Sequence, residues 1–312
     1  MKYYAGVDGG GTKTAYALFD ENKNILAETR SPGSNHENLE GSFEEAADIL
    51  IAGLNELCAA GGVRLEQIAY TLMGLAGMDH PWQIELLSEK LRVRGLERFE
   101  LCNDGFLPLW AGSETGAAIA YNMGTGMCCN ASDRSGRLRQ LAGLGEFSGD
   151  IGGGHQIAIT AYRLIYDDVC LGIEKTALTK KYFKEFDIKS TEEFVSSCGM
   201  YDDEKTQSRF VMRMLDFYFE AAAEGDGPVL KSIDALAERG ARLIAAHANT
   251  LDFSDETEVV LCGSIHVKLP SDIYVDLLKE KASSYTDKKL DFKKLGFPPV
   301  RGCINRILQK QM

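Results

Sequence analysis

The sequence predicts an α/β protein of two similar lobes, each presenting a glycine turn, and three observations carry that prediction. A strand-like stretch from Tyr3 to Val7 runs through "DGGGTKT" directly into a second strand-like stretch, Thr14 to Phe19. The same order of strand, glycine turn and strand returns from Gly116 in "GAAIAYNMGTGMCCNAS". Around both units, segments with helical spacing of apolar residues alternate with short apolar runs, the pattern of sheets layered with helices.

The first unit extends to a third strand, Ile25 to Thr29, after the turn "DENKN", and then a loop, "RSPGSNHENL". Residues 42 to 60 place Phe43, Ala46, Ala47, Leu50, Ile51, Leu54 and Leu57 on one broad helical face. "IAYTLMGLAGMD" reads as a buried strand ending in small residues, Pro81 to Val93 as a helix, and "RFELCND" as a further strand ending on Asn103-Asp104. After the second unit come the polar turn "DRSGR" and the loop "LAGLGEFSGDIGGG". Residues 154 to 171 and most of 174 to 250 are helical, the last long helix starting at "GDGP" with Asp226 as N-cap and Pro228 in the first turn. "EVVLCGSIHV" is an apolar strand broken at its end by Gly263-Ser264; the polar "YTDKKLDFKKLG" and a short amphipathic helix in "FPPVRGCINRIL" follow. No segment has linker composition, so the lobes are expected to meet tightly, with bounds of 1–115 and 116–312. A helical insertion covers roughly 172–250, and a helix at about 298–312 packs back on the first lobe.

Glycine triplets weaken strands, so the first turn must need bare backbone. Two nucleotide-binding loops fail to fit. A Walker A loop needs glycine, four residues and then Gly-Lys-Ser/Thr, but Gly11 is followed by Thr12 before Lys13. A dinucleotide fingerprint needs a third glycine opening a helix; Thr14 stands there, and Ala15 to Phe19 reads as strand.

The 312 residues suffice for two ordinary domains or one large one, and 45% apolar with 26% charged residues is typical of a soluble globular chain. A net charge of -12 argues against nonspecific nucleic-acid binding, because phosphates are repelled. It still permits a nucleotide held by a local glycine nest or a metal ion. "MKYYAGVDGGG" has no signal-peptide core, and no apolar run approaches the ~20 residues of a membrane span. The cysteines, at 58, 102, 128, 129, 170, 198, 262 and 303, form no C-x-x-C pair, so buried reduced thiols and a cytoplasmic location are expected.

Three glycine turns at strand ends, "DGGGTKT", "NMGTGM" and "LCGSIH", resemble in this order the phosphate-1, phosphate-2 and adenosine motifs of the sugar kinase, Hsp70 and actin superfamily. "SPGSNHENL", "GLAGMD", "CND" and "GLGEFSGDIGGG" extend the likeness to the BadF/BadG/BcrA/BcrD ATPase family, and within it to N-acetylglucosamine kinases. The likeness covers roughly residues 3 to 270, with an echo at "PPVRGC". It implies two ribonuclease H-like (actin-like ATPase) lobes around a central nucleotide cleft, ATP and Mg²⁺ as cofactors, a sugar as substrate and a homodimer.

The chemistry behind that likeness is physical. Phosphoryl transfer asks for positioning and charge stabilisation, and glycine hairpins let backbone N–H groups reach phosphate oxygens. Gly9, Gly10, Gly11 and Thr12 form one jaw and Gly124, Thr125 and Gly126 the other, with Thr12 and Thr125 implied as hydroxyl donors; Lys13 either adds charge or is a solvated strand residue. Asp104 is implied as the catalytic base that takes the acceptor proton, and its other reading is a helix cap. Asp8 suits Mg²⁺ held through water, or a turn that bonds its own backbone. Gly263 and Ser264 either admit adenine or form a plain strand-end turn. The family's sugar contacts fall on Asn35, Met127, Cys128, Gly143, Gly145, Glu146, Phe147 and Asp150, with Asp104 at the acceptor hydroxyl; capping is the alternative for Asp150, and packing for His36. Related kinases carry Ser-Asn where this chain has Met127-Cys128, and the aromatic of the glycine-rich loop is displaced to Phe147. Three functions follow: a kinase acting on an amino sugar or N-acetylated amino sugar, an ATPase that activates a radical dehydratase or aryl-CoA reductase, or a silent sugar sensor.

Overall fold

The computed structural model describes residues 1–197, 204–268 and 272–311, so Cys198 and the expected helical residues 198–203 lie outside the described residues. The first sheet consists of β1 (Tyr3–Gly9), β2 (Lys13–Asp20), β3 (Ile25–Pro32), β4 (Ile68–Leu75) and β5 (Phe99–Asn103). Their order is β3-β2-β1-β4-β5, with β1, β2 and β3 antiparallel and β4 and β5 parallel to β1. The second sheet consists of β6 (Ala118–Met123), β7 (Met127–Ser132), β8 (Leu138–Leu141), β9 (Glu256–Cys262) and β10 (Lys289–Lys294), ordered β10-β9-β6-β7-β8. Counted from its own first strand, the second sheet repeats the order and the strand directions of the first.

Period-two alternation sorts the strand residues into three cores. On one side of the first sheet, Ala5, Val7, Tyr16 and Leu18 pack under α1 (Ser42–Ala60) and α2 (Pro81–Val93). Between the sheets, Tyr4, Ala17 and Phe19 meet Ala118, Ala120, Val260 and Cys262 through α3 (Leu107–Gly112) and α11 (Arg301–Gln311). Beyond the second sheet, Ile119, Tyr121, Met123, Val259 and Leu261 pack under α4 (Gly154–Tyr166), α7 (Glu204–Ala223), α8 (Gly227–Thr250) and α10 (Ile273–Ser284). The layers thus run helix, sheet, helix, sheet, helix.

Within the helical insertion, α5 (Ala177–Glu185) and α6 (Thr191–Ser196) precede α7. Asp226 caps α8 by accepting from Val229 N at 3.0 Å, with Pro228 in the first turn, as the sequence predicts. Other expectations are corrected. The helix expected over 154–171 is α4 followed by a π-type turn, Asp167–Leu171. The strand expected over "EVVLCGSIHV" stops at Cys262, and Ser264–Lys268 is a short helix, α9. The polar "YTDKKLDFKKLG" contains β10, and β8 and α10 were not anticipated.

α11 closes the middle layer against the first sheet. Cys303 Sγ lies 3.8 Å from Val7 O, and Asn305 Nδ2 donates to Trp110 O at 2.9 Å. The approach is close because Gly6 and Gly302 lack side chains: a Cβ at Gly302 would sit 2.1 Å from Leu107 O, and one at Gly6 would sit 2.7 Å from Cys303 Cβ. Gly302→Val is therefore expected to destabilise by about 3 kcal/mol through overpacking against backbone, lowering Tm by roughly 5 °C or more. A melting curve unchanged from wild type would contradict this account of the α11 contact.

Candidate active site

Parallel strands β1, β4 and β5 end together, and that edge carries the first group of candidate residues. Asp8 on β1 lies beside Gly74, which pairs with Cys102 on β5, two residues before Asp104. The turn after β1 is closed by Gly10 N donating to Lys13 O at 3.0 Å. It is pressed against the "SPGSN" loop, because a Cβ at Gly33 would lie 2.1 Å from Gly11 O and one at Gly9 would lie 2.4 Å from Ser34 Oγ. The opposing hairpin, between β6 and β7, is three residues long, with Gly124 N donating to Gly126 O at 2.9 Å. The first turn of α4 supports it: Gly154 N donates to Gly124 O at 2.8 Å, and a Cβ at Gly153 would lie 2.7 Å from Thr125 O.

Gly124 and Gly126 differ from these packing glycines. An added Cβ at either would meet no atom of the described residues within 4 Å, and neither has positive φ. The fold does not need glycine there, whereas close approach of an anion to the backbone would. Thr12, Lys13 and Thr125 are exposed beside these turns. Gly263, by contrast, is required by the fold: its φ is +88°, and a Cβ would sit 2.2 Å from Met123 O, so the turn before exposed Ser264 is locked to the second hairpin.

Electrostatics single out two carboxylates. Burial, opposed by Lys13, raises the Asp8 pKa to about 6. Burial, reinforced by the neighbouring Asp8 and Asp79 charges, raises Asp104 to about 7. A pair of partly desolvated carboxylates, with Lys13 near Asp8, fits a hard divalent cation on the Asp8 side and a proton acceptor at Asp104. The capping role considered for Asp104 belongs to Asn103, whose Oδ1 accepts from Gly105 N at 2.9 Å.

On the second lobe, β7 sends alternate side chains to opposite faces. Cys128 faces Asp104: a Cβ at Gly105 would lie 2.8 Å from its Sγ. Burial, with Asp104 next, pushes the Cys128 thiol up to about 12. Cys129 is fully buried on the other face, so the adjacent cysteines do not present two thiols to one surface. Met127 is only 5% exposed and lies under the glycine-rich loop, its Sδ accepting from Gly152 N at 3.0 Å. Gly143 stands against Cys128, a Cβ there lying 3.0 Å from Cys128 Cβ.

Asp150 does not cap α4, whose N-cap is Gly153 without a side-chain bond. It instead organises its own loop, accepting from Gly145 N at 2.7 Å, Ser148 Oγ at 2.7 Å and Gly143 N at 3.2 Å. Phe147 points fully into solvent at 103% exposure, and Leu144 and Ile151 are exposed beside it. The side chain of Glu146 lies outside the described residues. This loop walls a cavity of about 540 Å³ with Thr125, Gly126 and Gly153, which α4 completes with His155, Gln156 and Arg163. In the first lobe, Asn35 Oδ1 accepts from Glu37 N at 3.0 Å, and His36 stacks on Phe43 with centroids 3.9 Å apart, a packing role.

Sequence reasoning missed four polar residues between these groups. Asp79 Oδ1 accepts from Asn103 Nδ2 and from Gln140 Nε2, both at 3.0 Å. Asn130 Nδ2 donates to Asn103 Oδ1 at 3.3 Å. Asp79 closes the "GLAGMD" stretch, four residues beyond the end of β4.

Two repeated sheets that hold opposed glycine hairpins across a cleft define the actin-like ATPase fold. The chain belongs to the BadF/BadG/BcrA/BcrD ATPase family, whose profile matches residues 5–289. An N-acetylmuramic acid/N-acetylglucosamine kinase of Clostridium acetobutylicum is 28% identical over 202 residues, 63% of this chain and 64%, just under two thirds, of that protein's length. An N-acetyl-D-glucosamine kinase of Dictyostelium discoideum is 26% identical over 238 residues, 72% of each chain. Among solved structures, a candidate N-acetylglucosamine kinase from Chromobacterium violaceum superposes with a TM-score of 0.67 at 22% identity over 99% of both chains. A ROK family glucokinase from Streptomyces griseus gives 0.60 at 16% identity, over 99% of this chain and 100% of that one. Among the described residues, no helix is long and apolar enough to cross a membrane.

Proposed function

We propose that the protein is an ATP-dependent kinase that transfers the γ-phosphate to a hydroxyl of an amino sugar, with N-acetylglucosamine or glucosamine as acceptor. The observation that carries this reading is Asp104: a desolvated carboxylate with a pKa raised to about 7, at a parallel-strand end, facing Cys128 of the other lobe. The names of the Clostridium and Dictyostelium relatives support it.

In this reading Asp104 accepts the proton of the acceptor hydroxyl as its oxygen bonds to the γ-phosphorus and the bond from phosphorus to the β,γ-bridging oxygen breaks. The amides of Gly9 to Gly11 and Gly124 to Gly126, with the hydroxyls of Thr12 and Thr125, hold the phosphates, and Lys13 adds charge. Gly263 and Ser264 admit the adenine. Asp8 would hold Mg²⁺, which when bound would supply charge neutralisation on the phosphates. Asn35, Cys128 and the loop from Gly143 through Gly145, Glu146 and Phe147 to Asp150 receive the sugar, with Met127 supporting that loop from beneath. A cytoplasmic homodimer completes the reading.

The test is ADP release from Mg-ATP across hexoses, hexosamines, N-acetylhexosamines and anhydro-sugars, with a control lacking sugar. Turnover dependent on one amino sugar is expected. Turnover indifferent to every sugar would instead indicate an activator ATPase, and silence throughout a sensor.

A further inference from the structure

We propose that Asp79 is a positioning residue for phosphoryl transfer, tying the strand end that carries the catalytic base to the strand that leads into the sugar-facing loop of the other lobe. The inference rests on the kinase reading above and adds a residue and a route to it.

Asp79 is firmly placed. It sits immediately before α2, where Gln83 Oε1 accepts from Asp79 N at 2.9 Å and from His80 N at 2.8 Å. One of its oxygens, Oδ1, receives two amide donors from different lobes: Asn103 Nδ2 from the end of β5 and Gln140 Nε2 from β8. Asn103 is held at its other end too, its Oδ1 accepting from Gly105 N and Asn130 Nδ2. The peptide leaving Asp104 is therefore fixed by a side chain that Asp79 and Asn130 hold in turn. On the far side, Gln140 Nε2 also reaches Ala142 O at 3.4 Å, next to Gly143, whose amide is held by Asp150. A continuous route thus runs from Asp150 through Gly143, Ala142, Gln140, Asp79 and Asn103 to Asp104. A ligand that reorders the loop acts on Gln140, and through Asp79 on the orientation of the base. Misplacing a reacting group by about 1 Å can cost ~10²-fold in rate, so a relay of this kind has leverage on turnover.

Charge gives the same residue a second influence. The groups that face Asp104 are Asp8 from β1, Asp79 from the loop after β4 and the Cys128 thiol from β7, with the Cys102 and Cys262 thiols behind, and Lys13 acts on Asp8. Both neighbouring carboxylates favour the protonated form of Asp104. Removing the Asp79 charge lowers the pH at which the base ionises.

Three variants test the proposal in steady-state sugar phosphorylation across the neutral pH range: Asp79→Asn, Gln140→Leu and the double variant Asp79→Asn/Gln140→Glu. In the double variant an amide at 79 donates to a carboxylate at 140, restoring the bond with reversed polarity. Gln140→Leu is expected to lower kcat about tenfold or more, with KM for ATP within about twofold of wild type, whereas Asp79→Asn keeps an acceptor oxygen for both amides and is read chiefly through its lost charge. Asp79→Asn should move the acidic limb of kcat/KM to lower pH, and the double variant should recover much of the kcat that Gln140→Leu loses. Wild-type kcat and an unmoved limb in both single variants would overturn the proposal. So would a fall in kcat with no limb shift and no recovery, the mark of a merely structural residue. A wild-type protein that phosphorylates no sugar overturns the kinase reading, and this inference with it.

Discussion

Asp104→Asn is expected to lower sugar phosphorylation by about 10²–10⁴-fold, the range for losing a general base, while ATP binding stays within about twofold. The residue stands at the cleft without a phosphate-facing role, so nucleotide titration and turnover should separate. In the wild type, activity should fall as pH drops through about 7, because the base must be ionised to act and its pKa is raised by burial and by Asp8. The variant should lose that limb. The sign for stability is opposite to that of an ion-paired carboxylate. Asp104 holds its proton longer when folded than when unfolded, so its burial costs increasing stability as pH rises from the ordinary carboxylate range to about 7. Asparagine removes that cost, and the variant should melt above the wild type at pH 8. Full turnover by Asp104→Asn would show that the base lies elsewhere.

Gly126→Val is expected to raise KM for ATP by about 10–100-fold, the equivalent of one charge-assisted hydrogen bond lost to a phosphate. Its melting temperature should stay close to wild type. A Cβ at Gly126 meets no atom of the described residues within 4 Å, so the protein has room for the side chain and a bound triphosphate would not. Gly9→Val supplies the contrast. A Cβ there would lie 2.4 Å from Ser34 Oγ and 2.6 Å from Leu75 Cδ2, so that variant should lose stability first. A Gly126→Val protein with unchanged KM for ATP would remove the hairpin from the nucleotide site.

The central strands were legible in the sequence because they are buried on both faces, and both hairpins because glycine punctuates them. The edges were not. β10, "KLDFKK", is an edge strand whose lysines guard it against further pairing, and they hid the inward-facing Leu290 and Phe292. β8, "LRQL", has four residues, all partly exposed. Missing both edges concealed that the second sheet repeats the first strand for strand. The strand-end positions of Asp8 and Asp104 and of the two hairpins were readable because each is marked by local sequence. Asp79 was not, because its importance comes from partners 24 and 61 positions away, which no local pattern records. The bonds of Asp150 were hidden for a related reason: they are to loop amides whose approach only the folded loop creates.

The packing of α11 has a consequence for how the chain is made. β1 is synthesised well before the helix that covers one of its faces, whose contact with it spans 296 positions, from Val7 to Cys303. At 5–20 residues per second, roughly 15–60 s of translation separate the strand from its cover. Through that interval Tyr4, Phe19, Leu72 and Cys102 lack part of their native lining, exposing an apolar surface that attracts chaperones or neighbouring chains. Completion of the first lobe is therefore postponed until the second has been made, and a fragment ending after β5 inherits the sticky surface permanently.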